Sequence, residues 1–171
     1  MALRTIMTQE QPTLHKVARP VTNFDQRLHD LLDDMAETLA DANGAGLAAP
    51  QVGILRRIFL IDVDDRGLIE FINPEILETS GEQDGVEGCL SLPGQWGMVK
   101  RPNHVKIRAQ DRDGAWFELE GDELAARCIL HEYDHLEGHL YSEKVYKWLS
   151  EEEVSAMFEA AEEAEEAEEA E

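Results

Sequence analysis

Residues 131 to 135 read His131-Glu132-Tyr133-Asp134-His135, and this spacing constrains the chain more than any other feature of it. Two histidines four residues apart share a face only on an α-helix, so the segment must be helical if both imidazoles are to meet one ligand. The flanking sequence agrees. From Asp122 onward the apolar residues Leu124, Cys128, Ile129, Leu136 and Leu140 keep helical spacing behind an acidic start that suits a helix N-terminus. Imidazoles one turn apart can share a metal ion. Glu132 lies beside that face, where a carboxylate can take a proton from water activated by a metal and pass it to a leaving group. A helix that only happens to expose two histidines would show the same pattern, so a third ligand has to decide.

A catalytic metal site takes three protein ligands and keeps one position open. A metzincin would place a third histidine six residues after His135, but Tyr141 stands there and His139 is out of register. A thermolysin-like metalloendopeptidase would use a later glutamate. Only Glu137, Glu143 and the C-terminal glutamates are available, the last too abundant to single one out, so that arrangement stays open as an alternative. Glu87-Gly88-Cys89-Leu90-Ser91 offers a stronger ligand, because a thiolate is soft and strongly coordinating and Gly88 lets the backbone come close to a metal or substrate. Cys89 would complete a Cys-His-His set with His131 and His135. The competing reading of a lone cysteine is a small buried hydrophobe. That is the reading taken for Cys128, three residues before His131.

The rest of the chain supplies the frame. Between Asn23 and Ala42 the residues Phe24, Leu28, Leu31, Leu32, Met35 and Leu39 recur at helical spacing, and Asp41 to Gly46 closes that helix with residues that tolerate positive φ. Arg57 to Val63 is a β-rich apolar run expected to form a central strand. Leu68 to Ile72, Gly97 to Lys100, His104 to Ala109 and Ala115 to Glu120 are further strand candidates. The last two flank Asp111-Arg112-Asp113-Gly114, a hairpin signature. Ser150 to Glu153 fits a capping box, with Val154, Met157, Phe158 and Ala161 on one face of a third helix and Val154, Met157 and Phe158 expected to pack. Beyond Ala160 only Ala and Glu occur, which predicts a solvated, fraying extension. The expected fold class is α+β, an antiparallel sheet packed around the H-E-x-x-H helix with N-terminal and C-terminal helices.

A chain of 171 residues, 43% apolar, suits one domain, here residues 1–149, followed by an acidic helix and tail over 150–171. The net charge of -22 is concentrated at the end, where residues 151–171 carry eleven Glu and no Lys or Arg. This disfavours unspecific contact with nucleic acid or an anionic membrane, both of which reward basic clusters. No apolar run reaches the roughly 18 residues that a membrane span needs. A cytoplasmic protein with two free thiols is expected.

Gly44-Ala45-Gly46-Leu47-Ala48-Ala49-Pro50-Gln51 is small-residue backbone against which an extended ligand could lie, and Gln51 can donate an amide N–H to a developing oxyanion. Taken alone, the stretch reads as a tight turn and Gln51 as a surface amide. Together with E-G-C-L-S at 87–91 and H-E-Y-D-H-L-E-G at 131–138, however, G-A-G-L-A-A-P-Q at 44–51 resembles the three signature motifs of peptide deformylases, in the same order. The similarity runs over roughly residues 5–147. It implies hydrolysis of the N-formyl group from the N-terminal formylmethionine of nascent polypeptides, an N-terminal methionine processing step of protein biosynthesis that releases formate. It further implies Cys89, His131 and His135 as metal ligands, Glu132 as general acid and base, and Gln51 with the Leu90 backbone N–H as oxyanion hole.

The same resemblance ranks Fe2+ first as cofactor, with Ni2+, Co2+ or Zn2+ as substitutes, and pairs Arg101 with Asp134. Ala45, Gly46, Gly88, Leu124, Arg127 and Cys128 are the expected substrate-binding residues. Arg127 stands where an aliphatic residue is expected, its stem lining the methionine pocket while its guanidinium reaches water. Formylmethionyl chains are the expected partner. Ribosome contact is open, but not through RNA binding by the acidic tail. A non-catalytic metal-stabilised binding module is the alternative from another class, and it has no use for Glu132 or Gln51.

Overall fold

The computed structural model describes residues 2–169. Helix α1 spans Gln26–Ala42; the Asp25 side chain caps it by accepting from the Leu28 N–H, and Asn43 ends it in the left-handed conformation at φ 57°. Strands β1 (Gly46–Ala48), β2 (Ile58–Asp62), β3 (Leu68–Ser80), β6 (His104–Gln110) and β7 (Trp116–Asp122) form a five-stranded antiparallel sheet in the order β1-β2-β3-β6-β7. A second antiparallel sheet has the order β4 (Gln83–Cys89), β5 (Leu92–Arg101), β8 (Lys147–Leu149). Helix α2 is Leu124–Leu136 and helix α3 is Glu151–Glu169.

The unbroken apolar run of β2 is explained by what covers it. Side chains alternate across a strand, and here both faces are buried. Ile58 and Leu60 pack with Leu28, Leu32, Met35 and Leu39 of α1, whereas Phe59 and Ile61 join Ala125, Ala126, Ile129 and Leu136 of α2. The two helices therefore clamp the larger sheet from opposite sides, and β2 lies next to its β1 edge, not at its centre. Phe59 stacks on Phe71 of β3 with ring centroids 4.6 Å apart.

Several sequence expectations need correction. Strand β3 continues through Pro74 to Ser80 with register shifts on the way, β5 starts at Leu92, and β1, β4 and β8 form where the sequence pattern carries no strand signal. Strand β4 contains Asp84, Gly85 and Gly88, a composition that reads as a turn; its pairing with β5 from Gln83↔Arg101 to Cys89↔Leu92 overrides that preference. Ser150 does cap α3, accepting from the Glu153 N–H at 3.1 Å. The expected packed face is not formed, since Val154 is buried while Met157 and Phe158 are 42% and 53% exposed. The Ala/Glu repeat continues the helix to Glu169 in place of fraying at Ala160, fully exposed, as the high helix propensity of both residues allows. Among the described residues no helix is long and apolar enough to cross a membrane.

Candidate active site

Helix α2 presents His131 and His135 on one face, and the end of β4 brings Cys89 to them. The ligand atoms of these three residues lie within 4.8 Å of one another, with Cys89 Sγ 3.4 Å from His135 Nε2. One thiol and two imidazoles are a donor set suited to a borderline divalent metal. One further atom supports that fit: Glu132 Oε1 is buried beside the group without a hydrogen-bond partner, a costly arrangement unless something else in the site satisfies it. Glu132 Oε1 is 4.0 Å from His135 Nε2. Burial raises the Glu132 carboxyl to about 7, where a proton can be taken up and released near neutrality. Burial also holds His135 well below its usual value, whereas for His131 burial is outweighed by bonding to Cys89 and Glu87, which pushes it up.

Behind the histidines stands a further carboxylate besides Glu132. Glu87 Oε1 lies 2.8 Å from His131 Nδ1, an arrangement that turns Nε2 of that ring toward Cys89. The same carboxylate accepts from Arg101 Nε at 2.6 Å, Arg101 Nη2 at 2.8 Å and Arg127 Nη1 at 2.6 Å. Burial opposes its charge, but the hydrogen bonds and charges of Arg101 and His131 hold Glu87 far below the usual carboxylate range. Arg101 Nη1 also donates to Asp134 at 2.9 Å, the expected pair. Glu87 belongs to no periodic pattern, and the only sequence signal for its role is its place two residues before Cys89.

Gln51 is 1% exposed, not a surface amide. Its Oε1 accepts from the Ala48 N–H at 3.0 Å, which aims Nε2 at Ser91 Oγ, 3.0 Å away, and at Cys89 Sγ, 3.5 Å away. Leu90 follows Cys89 at the turn between β4 and β5. Gly46 on β1 has no room for a side chain, because a Cβ there would overlap the Glu132 carboxylate. The glutamates a thermolysin-like site would need are engaged elsewhere: Glu137 accepts from Arg57 Nη2 at 2.9 Å and Glu143 from the Leu140 N–H at 2.8 Å.

The sequence profile of the polypeptide deformylase family matches residues 3–151. The chain belongs to the polypeptide deformylase family. It is 59% identical over 145 residues to a peptide deformylase of Agathobacter rectalis, covering 85% of this chain and 91% of that one. A crystal structure of peptide deformylase from Thermotoga maritima superposes with a TM-score of 0.82 at 40% identity, covering 84% of this chain and 97% of that one. For a peptide deformylase from Legionella pneumophila the values are 0.81 and 38%, with 97% of each chain covered. The chain is thus an enzyme of the deformylase family, a metal-dependent hydrolase that acts on formylated nascent peptides, and the metalloendopeptidase and binding-module alternatives find no support.

Deformylase substrates are peptides, and a cavity of about 540 Å³ opens beside the Cys89, His131 and Glu132 side chains. That volume lies within the range of sites that enclose small ligands. Ala45, Gly46, Gly88, Leu124, Arg127 and Cys128 all line it. The expectation for Arg127 fails in one respect. Its guanidinium does not reach water but is buried, 6% exposed overall, donating to Glu87 and, at 3.0 Å, to the Val99 carbonyl. The Glu87 carboxylate draws it inward. Burial pushes the Cys128 thiol up to about 12, which leaves it an unreactive part of the wall. Trp96 and Phe158 also line the cavity, and no motif in the sequence marks either of them.

Proposed function

We propose that Cys89, His131 and His135 hold the catalytic metal, with ferrous iron first and Ni2+, Co2+ or Zn2+ as substitutes, and that residues 1–149 carry the catalysis in the cytoplasm. Bound there, the metal supplies Lewis acidity that activates water and polarises the formyl oxygen. The observation that carries the reading is Glu132, buried with an unpartnered oxygen beside the Cys-His-His group and against the backbone of Gly46. Glu132 takes a proton from the attacking water as the C–O bond forms. When the C–N bond breaks, it returns that proton to the amine nitrogen, so the products are formate and a free N-terminal methionine. The Gln51 amide, already directed at Cys89 Sγ, and the Leu90 N–H donate to the oxygen as it gains charge.

Two strand edges flank the cavity, β1 at Gly46 and β4 at Gly88, so an extended peptide adds its backbone between them. The methionine side chain lies against Leu124, the Arg127 stem and Cys128 on α2. In this reading α2 is the helix around which the site is organised, and 150–171 is an acidic appendage that does not bind RNA. Any ribosome contact is made through protein.

The test is an anaerobic assay of formate release from a formyl-Met peptide with bound metal quantified on the same sample. Formate release in proportion to iron content, with nickel-loaded protein surviving air longer, is the expected outcome. Fully metal-loaded protein that releases no formate would overturn the assignment.

A further inference from the structure

We propose that Trp96 and Phe158 form an aromatic subsite that selects the residue following methionine, favouring a large apolar or aromatic side chain. The inference rests on the function proposed above and adds two residues to it. Both line the cavity, with Trp96 half-buried on β5 and Phe158 53% exposed on α3, so they stand at its rim. Their rings meet edge to face with centroids 6.1 Å apart.

The direction of β4 decides which substrate residue they meet. Side chains of an extended strand alternate between its faces. Glu87 points toward α2, where it bonds His131 and Arg127, whereas a Cβ on Gly88 would overlap the Trp96 ring. The α2 face and the Trp96 face of β4 are therefore opposite. A peptide extended along this edge with its methionine directed at α2 turns its next side chain to the other face, over Gly88 and into the Trp96–Phe158 pair. Gly88 has no side chain to obstruct that approach, and a ring edge offers an apolar or aromatic partner favourable geometry.

The test compares kcat/KM for formyl-Met-Phe-Ser and formyl-Met-Gly-Ser in the metal-loaded full chain. The wild type favours the Phe peptide, and Phe158→Ala lowers that preference by about two- to tenfold, through KM rather than kcat. Phe158→Tyr, which keeps the ring, retains it. A half-exposed side chain on α3 can be trimmed without opening the core, and helical content measured by circular dichroism checks this. A wild type with no preference, an Ala variant with an unchanged ratio, or a Tyr variant that behaves like Ala would each overturn the inference while leaving the deformylase reading intact. A metal-loaded wild type that releases formate from neither peptide removes that reading and the subsite with it.

Discussion

Replacing Gly46 by alanine isolates the contact between β1 and the Glu132 carboxylate, the proposed proton-transfer group. Gly46 sits in regular pairing opposite Ile61, and its φ is not positive, so alanine brings no backbone strain and only the new methyl group matters. That Cβ would stand 2.9 Å from Glu132 Cγ and Cδ and closer still to Oε2. Glu132 is 4% exposed on a helix packed against the sheet, so its carboxylate must swing away from the Gly46 backbone. A displacement of about 1 Å at a reacting group costs about a hundredfold in rate, and overpacking a closed site costs about 1–3 kcal/mol of stability. Gly46→Ala should therefore lose about two orders of magnitude in kcat/KM for formate release, and its Tm should fall by about 2–4 °C for each kcal/mol lost. Metal content, set in the proposed site by Cys89, His131 and His135, should stay at the wild-type level. Activity within tenfold of wild type, at normal metal content, would show that Glu132 does not need to stand against β1, and the argument from this contact would fail.

Glu132→Gln should keep its fold and metal but lose activity by about two to four orders of magnitude in the same assay, since an amide cannot accept the water's proton. Cys89→Ser should lose metal itself, measured by elemental analysis after dialysis, because a hydroxyl is a poorer ligand than a thiolate. Asp34 is held below its usual range chiefly by the Ala2 N–H, with burial opposing and Arg4 assisting. A lowered folded pKa means that its stabilisation is present above about pH 4, the unfolded value, and is lost as pH falls through the folded value. Hydrogen exchange should show the Ala2–Arg4 segment loosening in that acid window in wild type and at all pH values in Asp34→Asn. Deleting residues 160–171 should leave kcat/KM on a small formyl-Met peptide within about twofold, because residues 160–169 are exposed and the lost burial is worth less than about 1 kcal/mol. A several-fold loss would show that the repeat touches the catalytic part.

The elements that sequence alone determined are those whose signal is local. Helix α1 follows from the spacing of Leu28, Leu32, Met35 and Leu39, and α2 from an apolar stripe shared with the His131 and His135 face. Residue chemistry also marks Cys89, His131, His135 and Glu132, because few side chains can bind a metal or shuttle a proton. Strand β4 is not legible in this way, because its residues disfavour extended structure and are held there by β5. Arg127 points inward for a related reason. Its stem and its charge are both evident in the sequence, but its direction depends on Glu87, a partner on strand β4 that also bonds Arg101 and His131. Helical spacing would pack Phe158 beneath α3, yet it stands at the rim of the cavity beside Trp96, since of that helix only Val154 is buried. Periodicity reports which face of an element is apolar. Which buried charge finds which partner, and which apolar face is left for a substrate, depends on surfaces brought together from distant parts of the chain, and only the tertiary structure decided that.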